Sequence, residues 1–90
     1  MSSDSNRYAV ELTDKAAKEL AKLEAGVQTK VRLALDLLAS NPRPPRALKL
    51  VNSDSFRVRI GNYRIIYKVF DSKLVVIVIR IAHRGNAYRS

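Results

Sequence analysis

No cysteine occurs among the 90 residues, which removes disulfides, thiolate metal sites and a cysteine nucleophile together and makes the reducing cytoplasm the expected compartment. Glycine is scarce, at 3 residues, and neither a phosphate-binding P-loop nor a Rossmann glycine pattern can be drawn from them. Long apolar runs are also missing: the longest, Leu74 to Ile79, is far short of the ~20 residues that a membrane-crossing helix needs. Met1 to Arg7 is polar and lacks the apolar core of a signal peptide, so a soluble protein with no membrane partner is expected. Histidine is represented by His83 alone. Residues 41–90 hold only two acids, Asp54 and Asp71, too few beside one histidine for a convincing divalent-metal site, so neither metal nor cofactor is expected.

What is present is positive charge, unevenly placed. Seventeen Lys and Arg against eight Asp and Glu give a net charge of +9. Residues 1–40 balance six basic side chains with six acidic ones, whereas residues 41–90 carry eleven basic side chains. The excess in the second half points to a polyanionic partner: nucleic acid, an anionic surface or an acidic protein segment. The length suits one domain over residues 1–90, with any site built on its surface.

Tyr8 to Leu12 alternates and reads as a first strand ending at Thr13, which with Asp14 offers a helix cap. Ala16, Leu20 and Leu23 then form an apolar stripe, with Gly26 as the expected stop of that helix. Val27, Val31, Ala34, Leu35 and Leu38 continue at helical spacing to about residue 39, where Asn41-Pro42-Arg43-Pro44-Pro45 forbids continuation. Beyond the prolines the period falls to two. A short strand is conceivable around Ala47 to Val51. Phe56, Val58 and Ile60 alternate with Arg57 and Arg59 up to Gly61-Asn62, a tight hairpin signal. A two-residue loop pairs Ile60 with Tyr63, Arg59 with Arg64, Val58 with Ile65 and Arg57 with Ile66. That register collects Arg57, Arg59, Arg64 and Lys68 on one open face, with Ile66 as its apolar member, and leaves Phe56, Val58, Ile60, Tyr63, Ile65 and Tyr67 for the helices to cover. After a turn at Asp71-Ser72, Leu74 to Ala82 reads as a central strand buried on both sides. The expectation is an α+β fold, β-α-α-β-β-β, with a mostly antiparallel sheet and a helical hairpin on one face.

Like charges directly opposed on a sheet destabilise it, so Arg59 across from Arg64, with Arg57 close by, calls for a bound polyanion. Any one of these arginines alone reads as solvation of an open face; the cluster, with no acid between residues 55 and 70, does not. Arginine suits bidentate phosphate contact at any working pH. His83 stands at the end of the apolar strand, and imidazole as a side-chain type suits proton transfer near neutrality, although a lone histidine is more often structural. Tyr88, in the polar tail, either stacks on a base or pins the tail. The chemistry that fits without a metal is RNA cleavage by the substrate's own 2′-hydroxyl, leaving a 2′,3′-cyclic phosphate.

Ala17-Lys18-Glu19-Leu20-Ala21-Lys22-Leu23, Leu38-Ala39-Ser40-Asn41-Pro42-Arg43-Pro44, Leu48-Lys49-Leu50, the block from Phe56 to Tyr67, and His83-Arg84 with Tyr88-Arg89 together resemble the RelE/ParE toxin superfamily. The resemblance spans nearly the whole chain, and the Arg57 to Tyr67 block is its most specific part. It implies a RelE-like toxin that cuts messenger RNA in the ribosomal A site without a metal. Its implied partners are the ribosome with its message, a cognate antitoxin laid over the basic face, and operator DNA reached through that antitoxin. By position, Arg57 and Arg59 resemble two basic strand residues that are lysines in several members, Arg64 a phosphate-stabilising arginine, Arg84 an acid or charge stabiliser, and Tyr88 a tyrosine that orients the message. His83 sits where some relatives have a catalytic histidine. The implied catalytic set is Arg57, Arg59, Arg64, His83, Arg84 and Tyr88. The implied RNA-binding set is Lys49, Arg57, Arg59, Arg64, Lys68, Arg84 and Arg89. An arginine is too weak an acid to become a free general base, which makes His83 the better proton acceptor unless the reaction relies on electrostatics. ParE-like relatives, which poison DNA gyrase, and a degenerate antitoxin-binding regulator are the alternatives. Arg64→Ala is expected to abolish cleavage with little loss of stability, because an outward arginine leaves no cavity.

Overall fold

The computed structural model describes residues 7–83. Strand β1 (Ala9–Leu12) leads into helices α1 (Asp14–Ala21) and α2 (Ala25–Ser40), followed by β2 (Leu48–Lys49), β3 (Ser55–Ile60), β4 (Tyr63–Phe70), a 3₁₀ turn (Asp71–Lys73) and β5 (Val75–His83). The expected α+β architecture is present, with a five-stranded sheet in the order β1-β5-β4-β3-β2. All neighbours are antiparallel except β1 and β5, which run parallel, as the intervening helical hairpin permits. Among the described residues no helix is long and apolar enough to cross a membrane.

Local chemistry accounts for most boundaries. Thr13 caps α1, its Oγ1 accepting from the Ala16 amide at 3.1 Å, and Asp14 complements the helix dipole in the first turn. Gly26 is not the stop of this helix. α1 closes at Lys22, whose amide donates to carbonyls one turn back, and Gly26 lies in the first turn of α2. The break between the helices comes from Glu24 in an extended conformation. α2 buries Val31, Leu35, Leu38 and Ala39 at the spacing that one helical face requires. The core unites these with Ala16 and Leu20 of α1 and with Val58, Ile65, Tyr67, Val76, Val78 and Ile81 of the sheet.

The β3–β4 hairpin has the register expected for a two-residue loop, from Ile60 opposite Tyr63 to Arg57 opposite Ile66. Gly61 takes the positive φ of 59° that the first loop residue of a II′ turn demands. β5 is interior, but only one of its faces is fully buried: Val76, Val78 and Ile81 are in the core, while Val75, Ile77 and Ile79 are half-exposed. Leu74, expected at the start of this strand, instead closes the 3₁₀ turn in the left-handed conformation.

One irregularity reshapes β5. Tyr67 pairs with Val78 while the preceding Ile66 pairs with Arg80, so Ile79 is an extra residue, a β-bulge. The bulge falls where β1 has ended, and α1 takes over its edge. The Thr13 hydroxyl donates to the Ile79 carbonyl at 3.0 Å, and the Glu19 carboxylate accepts from the Ile81 amide at 2.7 Å. The same carboxylate holds Arg80, with Nε at 3.0 Å and Nη2 at 2.9 Å.

Candidate nucleic-acid interface

Because paired residues in a sheet share a face, the register assigns each candidate to a side. Arg59 and Arg64 stand directly opposed near the hairpin tip, in line with Ala82 of β5. In a two-residue hairpin the closing pair exchanges backbone hydrogen bonds, so the next pair, Arg59 with Arg64, is of the closer, non-hydrogen-bonded kind. Arg57 lies one row behind, opposite Ile66 and flanked on its other side by Leu48. Lys68 shares the face but stands four residues along β4 from Arg64, about 13 Å away at ~3.3 Å per residue. The tight cluster is therefore Arg57, Arg59 and Arg64, with Lys68 at its margin.

The three arginines differ in environment. Arg59 is exposed and Arg57 half-buried, whereas Arg64 is only 6% exposed. This corrects the expectation of an outward Arg64: it is part of the packed structure, and its truncation removes buried atoms. Two further placements depart from the sequence-based expectation. Lys49 pairs with Phe56, so it belongs to the opposite side of the sheet and lines a depression with Arg43, Asp54 and Phe56; Leu48 occupies the position beside the arginines. His83 pairs with Tyr63 and packs edge-on against its ring at 5.3 Å, on the side of the helices and away from Arg64. The bulge is responsible. Unbroken alternation from Val76 and Val78 would bury Arg80 and turn His83 toward the arginines; the extra residue exchanges the two faces. Arg84, Tyr88 and Arg89 lie outside the described residues.

Arg46, which no sequence motif singles out, lines a depression of ≈ 320 Å³ together with Leu48, Arg57 and Arg59. The only signal for it is its place directly after the proline segment. That segment is fixed at several points. The Tyr67 hydroxyl donates to the Pro42 carbonyl at 2.7 Å, and Arg43 donates to both Asp71 oxygens at 3.0 and 2.8 Å while lying over the Phe56 ring. Tyr8 donates to the same carboxylate at 2.6 Å. The Arg43 guanidinium and then the Tyr8 hydroxyl hold the Asp71 carboxyl down at about 2, and burial pushes the Tyr67 hydroxyl up to about 12. These contacts hold the loop against the sheet, so Arg46 is presented from an anchored segment.

Comparison with known proteins agrees with this arrangement. Residues 10–88 match the family model described as the ParE toxin of the type II toxin–antitoxin system parDE. The chain belongs to the RelE/ParE toxin superfamily. It is 31% identical over 84 residues to toxin RelG of Mycobacterium tuberculosis, a match covering 91% of this chain and 97% of the relative. It is 28% identical over 79 residues to the mRNA interferase toxin RelE of Escherichia coli K12, covering 86% and 83%. Among solved structures, the toxin–antitoxin complex RelBE2 of M. tuberculosis superposes with a TM-score of 0.76 at 28% identity, covering 87% of this chain and 99% of that one. The RelE-like fold and the toxin identity follow: this is a RelE-family toxin of a toxin–antitoxin system.

Proposed function

We propose that this toxin is a ribosome-dependent endoribonuclease that cleaves messenger RNA through the substrate's 2′-hydroxyl and is held inactive by a cognate antitoxin. The observation that carries the reading is the convergence of Arg57, Arg59 and Arg64 on one sheet face, with Arg59 and Arg64 directly opposed. The 2′-oxygen attacks phosphorus as its proton passes to solvent water, the P–O5′ bond breaks with the departing 5′-oxygen taking up a proton from solvent, and a 2′,3′-cyclic phosphate results; fixed guanidinium donors stabilise the negative charge that the non-bridging oxygens gain, with little reorganisation. Arg64, fixed by burial, suits the phosphate-stabilising role, and Arg57 and Arg59 the flanking phosphate contacts. The name of the E. coli relative, mRNA interferase, supports the same reaction class, and the M. tuberculosis complex supports an antitoxin partner.

His83 contributes less than its position in the sequence suggests. With its ring against Tyr63 on the other side of the sheet, proton transfer at the phosphate is not its natural role, and the chemistry rests mainly on electrostatic stabilisation by the arginines. Arg84 and Tyr88 remain assigned by resemblance as charge stabiliser and message-orienting aromatic, and Lys68 and Arg89 as outer RNA contacts. No metal takes part in the proposed route, in which the 2′-hydroxyl is the nucleophile.

A second reading has one observation in its favour: the matching family model carries the name of ParE. The experiment that decides adds purified protein to a translating extract, maps message ends by primer extension, and follows gyrase supercoiling in parallel. Cuts inside ribosome-occupied codons that vanish without ribosomes establish the proposed function. Intact message with arrested gyrase moves the chain to the ParE branch, and silence in both assays leaves a regulator that acts through its antitoxin.

A further inference from the structure

One charged side chain of β5 has no part in the proposed reaction. Arg80 interrupts the otherwise apolar run from Leu74 to Ala82. The bulge at Ile79 turns it onto the open face of the sheet, while the next residue, Ile81, enters the core. Arg80 pairs with Ile66, and Ile66 pairs on its other side with Arg57, so the three form one row across β3, β4 and β5. The next row toward the hairpin tip is Arg59, Arg64 and Ala82. Arg80 is thus a diagonal neighbour of Arg64, about 7–8 Å away from Cα to Cα. It lies two strands, about 10 Å, from Arg57.

Glu19 fixes the guanidinium from the edge of the sheet. Its Oε2 lies 3.0 Å from Arg80 Nε and 2.9 Å from Nη2, and its Oε1 accepts from the Ile81 amide at 2.7 Å. The carboxylate occupies the side of the guanidinium that faces α1, and Nη1 has no partner among the described residues. Both side chains stay within reach of solvent, Arg80 27% and Glu19 21% exposed. Closing the bulge does not require a cation here: Oε1 already serves the Ile81 amide, and an apolar residue at position 80 would continue the surface that Ile66 and Ile77 form on the same face. A further guanidinium beside Arg57, Arg59 and Arg64, in a chain of net charge +9, adds repulsion unless a carboxylate offsets it. Glu19 supplies that offset without standing on the face itself. An arginine held along one side has its side chain ordered before a ligand arrives, and its remaining N–H groups suit a phosphate oxygen.

We propose that Arg80 is a phosphate contact of the RNA site, taking a phosphate adjacent to the one held by Arg57, Arg59 and Arg64, with the intervening ribose over Ile66. Glu19 is the positioning residue that holds the guanidinium ready. The inference rests on the reading of the arginine face as an RNA site, but not on cleavage.

The test uses the full chain carrying Glu19→Gln and Arg80→Gln together, which removes the ion pair, leaves the net charge unchanged and keeps an acceptor for the Ile81 amide. Circular dichroism and thermal melting establish folding. Affinity for a short fluorescein-labelled oligouridylate is measured over a range of salt concentrations, with Arg80→Lys and Arg57→Ala alongside. The double variant should bind about tenfold more weakly, with the slope of log affinity against log salt reduced by about 0.7. Arg80→Lys, which keeps the charge, should retain the wild-type slope. Wild-type affinity and slope in the folded double variant, with the slope lowered in Arg57→Ala, overturn the proposal and leave the RNA reading of the face intact. Unchanged slopes in both overturn the two together. In wild-type protein, the ¹⁵N resonance of Arg80 Nε, assigned by its loss in Arg80→Lys, should shift on titration with the oligouridylate. A resonance that stays fixed while those of Arg57 and Arg59 move overturns the proposal without recourse to the double variant. Weakened binding in a chain whose wild type cuts no message upholds the contact and refutes the ribonuclease reading alone.

Discussion

Arg59 and Arg64 face one another across the β3–β4 hairpin, in the row next to its closing pair, and one of them is exposed while the other is buried. Like-charged residues directly opposed on a sheet are in general destabilising, a cost that a bound polyanion would offset. The asymmetry in burial separates the two residues experimentally.

Arg59→Ala should cost about 10²–10³-fold in cleavage, the usual effect of removing one transition-state donor. Its melting temperature should stay the same or rise, because relieving a directly opposed like-charge pair is worth roughly 0.2–1 kcal/mol. Arg64→Ala should lose cleavage at least as severely and also lose about 1–3 kcal/mol of stability, since its buried side chain fills space in the fold. Thermal melting beside primer extension checks both; an Arg64→Ala protein as stable as wild type would contradict a packing role for this side chain.

His83→Ala should retain cleavage within about threefold of wild type, far above the 10²–10⁴ typical of a lost general acid or base. The pH–rate profile of the variant should keep the shape of the wild-type curve. A loss of a hundredfold or more, with the shape of the pH–rate profile altered, would restore the histidine to a catalytic role.

Arg57→Ala should weaken binding of single-stranded RNA and reduce the slope of log affinity against log salt by about 0.7, the release of one counterion from a single strand. Lys49→Ala, whose side chain belongs to the other side of the sheet, should leave that slope unchanged. Fluorescence titration over a range of salt concentrations distinguishes the two.

Asp71 and Tyr67 give stability opposite pH limits. The Asp71 carboxyl titrates at about 2 in the fold against its ordinary 3.8, so its contribution is present above pH ~4 and is lost as pH falls from there toward 2. Tyr67 titrates at about 12 against an ordinary 10, so burial of its neutral hydroxyl contributes below pH ~10 and is lost as pH climbs toward 12. Asp71→Asn should flatten the acid limb of a stability–pH curve. Tyr67→Phe should flatten the alkaline limb while costing about 1–3 kcal/mol at neutral pH, because the Pro42 carbonyl loses its donor.

Much of this protein is written locally. The positions of the helices follow from apolar spacing and from the Thr13 cap, and the hairpin register follows from a two-residue Gly61-Asn62 loop that permits no slippage. With the register comes the arginine face, so the central candidates are legible in the amino-acid sequence itself. The end of α1 is not, because an extended Glu24 ends the helical run without a glycine. Other features depend on contacts between distant segments: the parallel pairing of β1 with β5, the burial of Arg64, and the recruitment of Arg46. The bulge at Ile79 is the clearest case. Nothing in the run from Leu74 to Ala82 marks it; it is stabilised by Thr13 and Glu19, sixty or more residues earlier, which satisfy the strand edge that β1 leaves open. By inserting one residue it exchanges the faces of everything after it. Sequence alone therefore determined which residues line the hairpin's two faces, because a period of two and a tight turn are local constraints. Only the tertiary structure decided which side His83 joins, because that depends on a hydrogen-bonding demand created where two distant segments meet.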